Sequence, residues 1–170
     1  MISAIEVAEQ GSTLAYTFED LMRYHGPGSP GGVAHAFKVL ERVLPLLEPD
    51  GLLERRELVV ETAFAGPGAR DAFEMVTRAV TENRYVVDDS WARPELGPTR
   101  ERFVFHLGYR ERGVTAILRE GYVTADFLAL VRQEERTAEE ESHLIVLKQE
   151  LANRLLAKPA AEVYDVDGEA

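Results

Sequence analysis

The chain has 170 residues, 45% of them hydrophobic, and a formal charge of -11 at pH 7, with no cysteine. That length suits one domain with a substantial core. The acidic balance argues against a nucleic-acid surface built from clustered Lys and Arg, and the lack of thiols excludes disulfides, a thiol nucleophile and thiolate metal sites. No stretch approaches the ~20 apolar residues of a membrane span, and the N-terminus lacks a basic head followed by an apolar run, so a cytoplasmic protein without membrane association is expected.

In chain order, Thr17 and Asp20 have the spacing of a capping box and predict a short helix from Phe18 to Tyr24. The loop "YHGPGSPGG" follows, rich in glycine and proline, and its composition suits either a ligand or the close approach of another backbone. Ser29 is placed to cap a long helix and Pro30 to be its first residue, since Pro lacks an N–H that would be unpaired there. Along that helix Val33, Phe37, Leu40, Leu44 and Leu47 form one apolar stripe, and Ala36, Val39, Val43 and Leu46 a second. A face that wide predicts burial on more than one side, against a sheet and against a second copy of the chain in a homodimer.

Beyond a turn, "ELVVETAF" reads as a buried strand, Ala72, Met75, Val76, Ala79 and Val80 as the inner face of a helix, and "RYVVDD" as another strand. Phe103, Phe105, Leu107 and Tyr109 alternate, "RERG" turns, and "VTAILRE" returns, predicting a hairpin. Thr124 caps a helix beginning "ADFLALV", and Thr137 with Glu140 caps a last one on which Leu144, Leu147, Leu151 and Leu155 align. The sum is an α+β domain with a mostly antiparallel sheet over residues 1–135, and a helical tail, 136–170, packed on it.

Among residues that could carry chemistry, the loop glycines and the Ser29-Pro30 cap place backbone N–H groups at a helix start, which favours an anion. No Walker or dinucleotide fingerprint is present. His35 shares a helix side with Lys38 and Arg42 and is expected in solvent. His106 lies on the strand face opposite Phe105, directed to a pocket or to solvent, and His143 is a surface residue of an acidic helix. Trp91 is expected in core or dimer contacts.

Three stretches together resemble one family. "FEDLMRYHGPGSPGGVAHAFKV" is similar to the opening of the FmdE-like domain, a family named for a component of formylmethanofuran dehydrogenase, where a His-Gly-His-x-Cys-Pro-Gly segment leads into a helix. "ETAFAGPGARDAFEMVTRAV" resembles its Glu-Thr, Cys, Asp-Ala segment, and "LLAKPAAEVYDV" the end of its tail helix. The resemblance implies an α-β-α-β-β-β core with a mixed four-stranded sheet of the FwdE/GAPDH domain-like type. It maps the family's first histidine to His25, its second to Pro27, one cysteine to Ser29, and the other to Ala65 or Gly68 depending on which flank is counted. The cysteine module that many members append after the tail is absent. A ligand site is therefore expected around His25, Gly26, Gly28, Ser29, Glu61, Thr62 and Asp71. It would serve a non-catalytic module for a small molecule or anion, or an enzyme in which His25 with Glu61 or Asp71 holds a divalent metal ion or acts as a base. An accessory component of an oxidoreductase complex is the third reading.

Overall fold

The computed structural model describes residues 3–168. The first element went unread in the sequence: strands β1 (Ala4–Glu9) and β2 (Ser12–Thr17) pair antiparallel as a separate two-stranded sheet. Gln10 and Gly11 turn the chain with φ of 49° and 82°, the pair of positive values that a two-residue type I′ hairpin requires. Ile5 and Val7 point inward and are buried, and Arg55 ties the hairpin down through Glu9 at 2.8 Å.

Helix α1 (Phe18–His25) begins with the expected capping box, Thr17 and Asp20 each receiving the other's backbone N–H. Helix α2 (Pro30–Leu47) then runs through the centre of the molecule. Strand β3 (Leu58–Thr62), helix α3 (Pro67–Thr77) and strand β4 (Tyr85–Val87) form a parallel crossover unit, because parallel strands need an intervening segment long enough to return the chain. The hairpin of β5 (Val104–Tyr109) and β6 (Arg112–Leu118) pairs antiparallel with the other side of β3. Helices α4 (Ala125–Arg132), α5 (Ala138–Leu156) and the short α6 (Ala160–Val163) lead into β7 (Tyr164–Asp167), which pairs antiparallel with β6.

The protein is thus mixed α+β, with one five-stranded mixed sheet in the order β4-β3-β5-β6-β7. The expected four strands are all present, and the tail adds the fifth. "YDVD" is too short and too acidic to announce itself as a strand; it becomes one because β6 would otherwise be an open edge. Over its described residues the segment expected as a helical tail is therefore helical up to β7, which forms the edge strand of the sheet.

One face of the sheet carries the core. Leu58, Val60 and Thr62 of β3 align with Tyr109, Leu107 and Phe105 of β5, and Val114, Ala116 and Leu118 of β6 continue the same face. Helices α2 and α3 cover it. The expectation that a second copy would cover α2 is corrected here: α5 packs along it, and Val33, Ala36, Val39, Leu40 and Val43 have no exposed surface. The stripe meant for a dimer is filled by the chain's own tail. Helix α3 also stops at Thr77, where Arg78 turns left-handed with φ of 60°, so Ala79 and Val80 lie beyond it.

Candidate ligand-binding site

Two helices in this protein begin the same way, Ser29-Pro30-Gly31-Gly32 in α2 and Gly66-Pro67-Gly68-Ala69 in α3. Proline is preorganised for the first helical position, and the next two residues carry N–H groups with no acceptor inside their helix. Neither start has a side-chain cap; Ser29 occupies the cap position without bonding a backbone N–H, which corrects the capping role expected of it.

The glycines let the two first turns touch. A Cβ on Gly32 would lie 3.1 Å from the Ala69 nitrogen, and one on Gly68 would lie 2.5 Å from the Ser29 carbonyl oxygen. Of the two uses the loop composition suggested, close approach of another backbone is what Gly32 serves, and the backbone is that of α3. The paired helix starts form one side of a cavity of about 420 Å³, within the range of small-ligand sites.

The other walls are apolar. Phe64, Phe103, and Phe127, Leu128 and Val131 of α4 line the cavity, and Leu151 of α5 reaches in against Gly31. His35, one helical turn beyond Gly31 and 1% exposed, also borders it. Its ring stacks on Phe103 with centroids 4.5 Å apart, and its Nδ1 lies 2.7 Å from the Tyr164 hydroxyl. Burial pushes the His35 pKa down to about 3 and that of Tyr164 well above its usual value, so both are neutral at pH 7. His35 Nε2 is buried and has no hydrogen-bond partner among the described residues.

Three cations, Arg102, Arg132 and Lys148, line the same cavity, and among the described residues no carboxylate does. Arg102 is also paired with Asp89 at 2.6 Å, and Lys148 donates to the Gly28 carbonyl oxygen at 3.1 Å. Arg132 makes no ion pair among the described residues. With the two helix starts, these groups make the cavity electropositive in a chain of charge -11.

Of the site residues expected from sequence, only Ser29 lines the cavity. Gly28 borders it through Lys148. His25 does not line it; at the C-terminal end of α1 its Nδ1–H donates to Asp71 of α3 at 2.8 Å, while Nε2 is buried without a partner among the described residues. Gly26 ends α1 with φ of 91° and donates its N–H to the Met22 carbonyl. Thr62 is fully buried and structural, donating to the Val104 carbonyl at 2.6 Å and accepting from the Phe64 N–H.

The pairing of His25 with Glu61 is corrected. Glu61 lies on the opposite face of the sheet from Val60 and Thr62, beside His106 in the strand register. It shares that face with Trp91, whose ring stacks on His106 at 4.6 Å, while His106 bonds Thr115 at 2.9 Å. The sheet separates it from the His25–Asp71 pair on α1 and α3. Among the described residues no three His, Asp or Glu side chains gather in a way that could hold a metal ion.

His35 is the cavity residue that sequence reasoning placed wrongly, Arg132 and Lys148 are cavity residues it passed over, and Tyr164, also passed over, bonds His35. The polar stripe of His35, Lys38 and Arg42 does not face water. Lys38 donates to the Lys158 carbonyl at 2.8 Å and Arg42 to the Tyr164 carbonyl at 3.1 Å, so the stripe is the seat of the tail. No protein-family model and no curated protein matches the chain.

Proposed function

We propose that the chain is a divergent FmdE-like domain that binds a small organic anion without catalysis, in the cavity between the starts of α2 and α3. The carrying observation is the lining: three cations, two uncapped helix starts and apolar walls, with no carboxylate. A ligand with one negative charge and an apolar body complements it.

Two points support the family part of the reading. The element order from α2 to β6 agrees with the α-β-α-β-β-β core that the resemblance implies. The positions matched to the family's cysteines, Ser29 and either Ala65 or Gly68, all border this one cavity. Serine, alanine and glycine there replace soft ligands by small groups, leaving room for a molecule.

The test is a calorimetric titration with 4-isopropylbenzoate and with its neutral amide, which has nearly the same shape. The acid is expected to bind at one site per chain and the amide at least about tenfold more weakly, the loss of one desolvated charge contact. The Arg132→Glu, Lys148→Glu double variant is expected to abolish that preference. Equal binding of acid and amide by the wild type would overturn the anion reading.

A further inference from the structure

Independently of that cavity, we propose that a second concave site, between the end of α5, the turn after β6 and the segment before β5, binds the phosphoryl groups of a small phosphorylated molecule. Arg100 and Arg154 are its anchors, with Arg119 and Lys158 beside them.

These four cations line one open cavity of about 740 Å³, which shares no lining residue with the first. They come from separate parts of the chain: Arg100 precedes β5, Arg119 follows β6, and Arg154 and Lys158 lie in and beyond the last turn of α5. The negative end of the α5 dipole favours Arg154 and Lys158 where they stand. It does not account for Arg100 and Arg119, which other elements bring to the same place.

Pairing sets this group apart from the other arginines. In a chain of charge -11, Arg23, Arg55, Arg84, Arg102, Arg110 and Arg136 hold carboxylates at 2.6 to 2.9 Å. Around the second cavity the ion pairs are too long for hydrogen bonds. Arg100 stands 3.8 Å from Glu120, which is 86% exposed, and Arg119 stands 3.7 Å from Asp165. Arg154 and Lys158 make no ion pair among the described residues.

The two anchors are also held in place. Arg100 Nε donates to the Leu118 carbonyl oxygen at 2.7 Å, and Arg154 Nε donates to the Tyr122 carbonyl oxygen at 3.1 Å. A guanidinium fixed through Nε keeps both Nη groups for another acceptor, and two such forks match the oxygens of phosphoryl groups. Neither guanidinium has a fully buried nitrogen without a partner, so the free Nη groups are accessible. Glu120, Glu162 and Asp165 also line the cavity. Together with the charge of the whole chain they repel an extended polyanion such as a nucleic acid, so the site suits a small ligand whose charge is concentrated among the four cations.

The test is a calorimetric titration of the whole chain with inorganic pyrophosphate in a phosphate-free buffer. One site per chain is expected, with acetate, a single charge, at least about tenfold weaker. The Arg100→Gln, Arg154→Gln variant is expected to lose at least about tenfold in pyrophosphate affinity, and Arg110→Gln, whose partner is Glu57, to bind as the wild type does. If the double variant fails to fold, Arg119→Gln, Lys158→Gln removes two charges whose side chains hold no backbone group, and is expected to show the same loss. Pyrophosphate binding that survives these variants, or that falls equally in Arg110→Gln, would mean an adventitious ion only and would overturn the site, as would no binding by the wild type. Competition by 4-isopropylbenzoate would place pyrophosphate in the first cavity and overturn the second site. Failure here leaves the first cavity intact, since the two share no lining residue.

Discussion

The proton that His35 refuses in the fold is one it accepts when unfolded, and this sets a pH dependence. Burial holds its pKa at about 3 against an ordinary 6.5. Between those values the unfolded chain binds more protons than the folded one, so the histidine weakens the fold progressively as pH falls below 6.5 and has no such effect above it. The slope is at most about 1.4 kcal/mol per pH unit, or about 2 kcal/mol between pH 7 and pH 5. Urea unfolding at both pH values, on wild type and His35→Phe, is expected to show the wild type losing about that much more than the variant. Equal losses would mean that His35 is not held neutral by the fold. The sequence misled at this residue for a physical reason. A polar stripe on a helix reads as solvated, and only a partner 129 positions away turns it into a buried hydrogen bond.

At the scale of elements, the meeting of α2 and α3 depends on glycine at one point above all. Gly68→Ala would drive a methyl group onto the Ser29 carbonyl, a backbone atom that cannot rotate aside, and is expected to cost about 1–3 kcal/mol. Gly28→Ala, in the same glycine-rich region but facing open space, is expected to stay within about 0.5 kcal/mol of wild type. Thermal unfolding of the two variants checks the contrast, and similar shifts would refute the contact. Features closed within a few residues were legible in the sequence: both capping boxes, at Thr17 and Thr137, formed as read, as did the alternation of Phe103, Phe105, Leu107 and Tyr109. The hairpin of β1 and β2 was written just as locally, in Ile5, Val7, Leu14 and Tyr16 about a Gln-Gly turn. It is less legible because Gln is a weaker turn signal than the Asn or Asp that usually precedes Gly there. The partner of α2 was not local at all; nothing in its stripes distinguishes a second copy from the chain's own α5.

For the whole molecule, the tail joins fold and site. Tyr164 is fully buried in the core, β7 covers the β6 edge of the sheet, and the same tyrosine hydrogen-bonds His35 of α2. Tyr164→Ala is expected to cost about 3–5 kcal/mol in denaturant unfolding, the scale of emptying an aromatic site in a core. Tyr164→Phe keeps the packing and is expected to cost less, about 1–3 kcal/mol, because it leaves His35 Nδ1 buried without its partner. Similar losses for both would mean that packing of the ring contributes little and the hydroxyl most. The Ser29 position, legible through the resemblance, leads to the cavity, but the cations that give it chemical character come from α4, α5 and the segment before β5, brought together only by folding. The most direct measurement is a crystal structure of the protein with 4-bromobenzoate, located by the anomalous scattering of bromine. A bromine peak is expected inside the cavity between Phe64 and Phe127, with the carboxylate toward Arg132 and Lys148. A peak at the His25–Asp71 pair or on the outer face of the sheet, with the cavity empty, would contradict an anion pocket between the starts of α2 and α3.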